Sequence, residues 1–128
     1  MSAVATTSLG SLAEWLRVDG GKDGYRAGLG FIDEVNLIGP DGVTLAIGTE
    51  PRPTGDERLD ALLGAIAEHV AFHHGVPAPD WCEAPPRFLR TAWFPVDLPS
   101  VRVRALVSSP ASFWRRGVFI DRSDLDRA

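Results

Sequence analysis

Leu59, Leu62, Leu63, Ile66 and Val70 recur at spacings of three and four, and Phe72 or His73 continues the series. That period places one apolar stripe along a helix. Thr54-Gly55-Asp56 supplies a start signal, Gly75 a stop, and Pro77 and Pro79 block continuation, so the pattern predicts a helix over 56–74. Ala61, Ala65, Ala67, Ala71 and Gly64 fill positions between the large residues. Small side chains let neighbouring elements approach closely, which marks this as the central helix of a bundle.

Weaker patterns flank it. Leu9, Leu12, Trp15 and Leu16 share one side of a first helix capped by Ser8 or Ser11 and stopping near Asp19-Gly20-Gly21. Tyr25, Leu29, Ile32 and Val35 or Asn36 predict a second helix over 24–37, ended by Gly39-Pro40. Residues 43–47 fit a short strand by propensity or a helical turn by context. Beyond Gly75, prolines at 77, 79, 85, 86, 95, 99 and 110 cut the chain into short pieces. Short helices are expected after Pro86 and Pro99, and a helical turn from Ser109-Pro110 to Gly117. An extended run over 118–120 and a last turn capped by Ser123 complete the reading. The fold class is mainly α: a single compact domain over 1–128, with several short helices around one long central helix.

Composition narrows the function. The chain has 128 residues and a net charge of −4, too acidic for a general nucleic-acid coat. Twelve arginines against one lysine suggest a GC-rich genome. A lone cysteine, Cys82, excludes an internal disulfide framework and a cysteine-rich zinc module, and beside Trp81 it reads as a small buried apolar residue. No apolar run approaches the roughly 18 residues of a membrane span, and residues 1–8 lack a signal-peptide pattern, pointing to a soluble, cytoplasmic protein.

The charge is uneven. Residues 1–86 hold thirteen acids and five bases, whereas 87–122 hold two acids and seven arginines. Phe88, Trp93, Phe94, Phe113, Trp114 and Phe119 share the arginine-rich part, a density that suits core with arginine stems lying along it. Arg102, Arg104, Arg115 and Arg116, with Phe113 and Trp114 alongside, form the leading contact candidate, suited to phosphate, RNA or an acidic protein surface. The competing expectation is internal: Arg115 and Arg116 close a helical turn before Gly117 and pair with Asp121 and Asp124.

Other chemistry is thinly supported. His69 and His73 lie four apart, the spacing of paired metal ligands, but Glu68 precedes the first histidine, and His74, Asp80 and Cys82 are equal claimants for a third ligand. Helix-dipole stabilisation explains these histidines without metal, so no metal or other cofactor is assigned. Cys82 with a histidine, or Ser108 or Ser109 with His69, lacks a nucleophile signature. Gly20, Gly21, Gly28 and Gly30 do not form a phosphate loop and read as turn and helix-packing glycines.

The later part is more specific. Its motifs are Pro53-Thr54-Gly55-Asp56, Leu59-Asp60-Ala61-Leu62-Leu63, Ala67-Glu68-His69, Pro79 with Trp81, Arg87-Phe88-Leu89, Trp93-Phe94-Pro95, Ala105-Leu106-Val107-Ser108-Ser109-Pro110-Ala111-Ser112-Phe113, and Arg115-Arg116-Gly117-Val118-Phe119-Ile120. Together they resemble a family of small actinobacterial proteins encoded beside nucleotidyltransferase-type genes, in pairs resembling toxin-antitoxin modules. The resemblance covers 53–128; residues 1–52 correspond to a variable part. It implies a non-enzymatic antitoxin that binds and restrains a cognate nucleotidyltransferase-type toxin. The chain lacks the basic N-terminal helix-turn-helix with which many antitoxins repress their own operon. The expected mechanism is occlusion of the partner's acidic metal and nucleotide site by Arg102, Arg104, Phe113, Trp114, Arg115 and Arg116. The alternatives are a nucleic-acid-associated transcriptional regulator using the same segment and a small metal-dependent hydrolase around His69 and His73.

Overall fold

The computed structural model describes residues 8–19 and 23–125. Among these described residues six α-helices follow in order: α1 (Leu9–Asp19), α2 (Gly24–Val35), α3 (Gly39–Gly48), α4 (Glu57–His73), α5 (Pro99–Ser108) and α6 (Ala111–Trp114). Short 3-10 turns occupy Asp80–Glu83, Pro85–Arg87 and Arg122–Leu125. The fold is mainly α, as the sequence pattern predicts. Gly20 and Gly21, and residues 126 and 127 of the expected last turn, lie outside the described residues.

α4 begins and ends as its sequence dictates. Asp56 is the N-cap, its carboxylate accepting from the Arg58 N–H at 2.9 Å, while Asp60 reaches back to the Thr54 N–H (2.9 Å) and hydroxyl (2.8 Å). At the other end Gly75 takes φ 67°, and the Val76 N–H returns to the Ala71 carbonyl at 3.0 Å, the Schellman closure. Between these caps burial exceeds a stripe: every residue from Ala61 to Ala67 is buried. Phe72, one of the two candidates for the end of the stripe, is exposed, and so is His73.

The surroundings explain why so many positions are small. α2 lies along α4 through glycines; a Cβ at Gly28 would stand 2.8 Å from Ile66 Cδ1. Gly30, expected as a packing glycine, faces nothing within 4 Å. Around the rest of α4 lie the turns at 80–87 and α6, and a Cβ on Gly64 would meet Arg87 Cβ at 3.0 Å and Arg116 Nε at 3.1 Å. α1 closes the remaining side against α2, α3 and α4.

Two local expectations change and a third holds. α2 already stops at Val35, and Gly39-Pro40 instead begins the next helix: Gly39 takes φ 77°, Pro40 sits in the first turn of α3, and residues 43–47 are helical. The segment over 118–120 is extended and touches Trp93 in an isolated parallel bridge, with the Trp93 N–H donating to the Gly117 carbonyl at 2.8 Å and the Phe119 N–H to that of Trp93 at 2.9 Å. The expected helix after Pro86 is only the 3-10 turn Pro85–Arg87; Phe88 is already extended.

Candidate functional site

Arg116 has no exposed surface. The chain reverses after α6 at Gly117, φ 81°, and the Val118 N–H closes on the Phe113 carbonyl at 3.0 Å, a second Schellman turn that aims Arg116 at α4. Its Nη1 bonds Glu68 Oε1 and the Ser112 carbonyl (2.9 Å), and its Nη2 bonds the Cys82 carbonyl (2.8 Å). Arg115 beside it forks onto both oxygens of Glu83 at 2.9 Å and also reaches Glu68 at 3.0 Å. Both guanidinium groups lie over the Phe88 ring, at 5.3 Å for Arg115 and 4.7 Å for Arg116. The forked bond to Arg115 holds the Glu83 carboxyl below its ordinary range, and the two glutamates hold Arg115 charged.

The internal pairing expected for these arginines is therefore present with different partners. Asp121 is taken by Arg104 at 2.7 Å, and Asp124 accepts from the Tyr25 hydroxyl at 2.7 Å. Gly117 decides this, because its left-handed turn sends the chain on toward 121 while Arg116 points back at α4. Hydrogen bonds from Arg104 and Ser123 pull the Asp121 carboxyl down to about 2.

The six candidate contact residues thus divide. Phe113 and Arg116 are buried within the chain, where they pack against α4. Arg102, Arg104, Trp114 and Arg115 are exposed. Arg102 pairs with Asp97 at 3.0 Å and lies 4.3 Å over the Phe94 ring. The arginine-rich segment is in large part neutralised within the chain.

Sequence reasoning missed Arg87, the second buried arginine. It donates to the backbone carbonyls of Asp60 (3.1 Å) and Pro51 (3.0 Å), reaches Glu50 at 3.3 Å, and lies 4.7 Å over Trp81. Its signal in the sequence was the proline pair before it, which stiffens a turn, but nothing in the spacing names its acceptors.

No family model, curated protein or solved structure matches the chain. α5 contributes only Ala105 to the buried interior. Val103, Leu106 and Val107 are 63%, 55% and 84% exposed, and their spacing of three and four sets them on one face, with Arg102 and Arg104 on its two flanks. Among the described residues no helix is long and apolar enough to cross a membrane.

The remaining chemical candidates have structural partners. Burial pushes the Cys82 thiol up to about 11, leaving little thiolate at neutral pH. Ser109 Oγ bridges α5 to the extended segment, donating toward the Ala105 or Ile120 carbonyl (2.7 and 2.9 Å) and accepting the Ile120 N–H at 2.8 Å. Ser108 Oγ donates to the Arg104 carbonyl at 2.8 Å. The His69 and His73 rings stand 4.2 Å apart, and His69 packs edge-on to Phe113. His74 meets Asn36 Oδ1 at 2.9 Å, tying the end of α4 to the end of α2. Among the described residues no three His, Cys, Asp or Glu side chains are placed to hold a metal ion.

Proposed function

We propose that the chain is a protein-binding module, antitoxin-like, that restrains a nucleotidyltransferase-type partner by steric occlusion. The observation that carries the reading is the outward apolar face of α5, Val103, Leu106 and Val107, on a helix that buries one alanine. Three large aliphatic side chains on one exposed face are the composition of an interface centre, and the arginines flanking them, each already paired with an aspartate, suit a polar rim. The partner's class comes from the resemblance over 53–128.

The same geometry disfavours the nucleic-acid alternative. Binding a phosphate backbone needs cations free to displace counterions. Arg87, Arg102, Arg104, Arg115 and Arg116 each have a carboxylate of this chain within 3.3 Å or closer.

The test is co-expression and pull-down with any nucleotidyltransferase found to be encoded beside this gene. Wild-type protein is expected to associate and suppress the enzyme's activity or toxicity. Leu106→Asp with Val107→Asp should abolish association while leaving the melting temperature within a few degrees of wild type. Failure of the wild-type pair to associate overturns the reading, and a folded double variant that still neutralises the enzyme moves the interface off α5.

A further inference from the structure

Ile32 of α2 and Asn36 just past its end, His69 and His73 of α4, and Arg122 and Leu125 of the last 3-10 turn enclose a pocket of about 170 Å³. Its chemistry is one-sided. No carboxylate lines it among the described residues, and four of its six walls carry nitrogen donors. Arg122 is fixed by its stem end: its backbone N–H reaches Ser108 Oγ at 3.3 Å and its Nε donates to the Ser108 carbonyl at 3.1 Å. Its terminal Nη groups have no partner among the described residues. Asn36 spends its carbonyl oxygen on His74, which leaves its amide N–H pair as donor. Both imidazoles add an N–H in any tautomer.

Two histidines four apart invite a metal, but the arginine beside them argues the other way. Burial chiefly holds the His69 imidazole neutral, near a pKa of 4, with smaller contributions from His73 and from the positive charge of Arg122. A cation entering the pocket would meet the same repulsion, whereas an anion would relieve it.

We propose that this pocket binds a phosphate group, held by the Arg122 guanidinium fork, the Asn36 amide and the N–H groups of His69 and His73. The volume is close to that of a cavity that admits one benzene, so it takes a single phosphate with a little water and excludes a nucleoside. The phosphate is therefore either the free ion or the end of a ligand whose remainder stays outside. The proposal is independent of the α5 reading.

The experiment uses the full chain. His ring resonances and the melting temperature are followed on titration with sodium phosphate at pH 7, against sodium chloride at equal ionic strength, and then with phenyl phosphate. In wild type, phosphate is expected to shift the His69 and His73 signals saturably and raise the melting temperature beyond the chloride control. Arg122→Gln should weaken binding at least tenfold. Asn36→Asp keeps the acceptor for His74 but places a carboxylate in the pocket, and should abolish binding; it keeps the test open if the Arg122 variant folds poorly. Tighter binding of the monoester than of the free ion identifies the end of a larger ligand, and equal or weaker binding identifies the free ion. Ring signals that do not move with either probe, or a folded Asn36→Asp protein that responds as wild type does, overturn the site.

Discussion

Glu68 shows how far a single side chain's role depends on what the fold brings to it. In the sequence it is the glutamate on the wrong side of a histidine for a metalloprotease motif. In the structure it is the acid that receives both Arg115 and the fully buried Arg116. Removing one partner of a buried pair leaves the other charge poorly compensated, at a cost of about 3 to 5 kcal/mol. Arg116 keeps two carbonyl acceptors, so Glu68→Gln should fall at the lower end, about 3 kcal/mol by urea denaturation. Charge reversal at Arg116 should unfold the protein, whereas at half-exposed Arg115 it should leave a folded one; equal behaviour would show that Arg116 is not enclosed. Gly64→Ala forces a Cβ against Arg87 and Arg116 and should cost about 1 to 3 kcal/mol, although alanine is the better helix former.

Helices were legible where local rules decide them, and partners were not. α4 follows from its period, its Asp56 cap and its Gly75 stop, all written within twenty or so residues. If the stripe is core, Leu63→Ala or Ile66→Ala should each lower stability by about 2 to 5 kcal/mol, and wild-type stability in both would contradict their full burial. α3 was ambiguous because β-branched Val43, Thr44 and Ile47 favour strand locally, and packing against α2 and α4 outweighs that preference. Of the contact candidates, the segment was visible from its arginines and aromatics, but which residues face outward was not. Gly117's turn inverts the assignment within two residues, exposing Trp114 and burying Arg116. α5 should be among the least protected elements in hydrogen exchange, since one buried residue gives it little to lose on local opening. Protection matching that of α4 would mean that α5 is held more firmly than its single alanine allows.

The molecule as a whole should respond to acid in two stages. His69 is held near a pKa of 4 when folded against 6.5 ordinarily, so the unfolded chain binds the proton more readily. Its contribution is full above about pH 6.5 and is lost as pH falls toward 4, worth up to about 3 kcal/mol. Asp121, pulled from 3.8 to about 2, contributes above its ordinary value and loses that contribution only as pH falls further. Urea titrations at pH 7, 5 and 3 should show both losses, and His69→Gln should flatten the first while leaving the second. The reach of the two buried arginines back onto α4 also has a consequence in time. Glu68 and Arg116 are 48 residues apart, which at about 5 to 20 residues per second separates their synthesis by roughly 2 to 10 s. Through that interval a nascent chain on the ribosome carries the alanine and glycine wall of α4 without the side chains that cover it. Translation speed through the proline-rich stretch therefore sets how long this surface stays open to chaperones, or to another nascent chain.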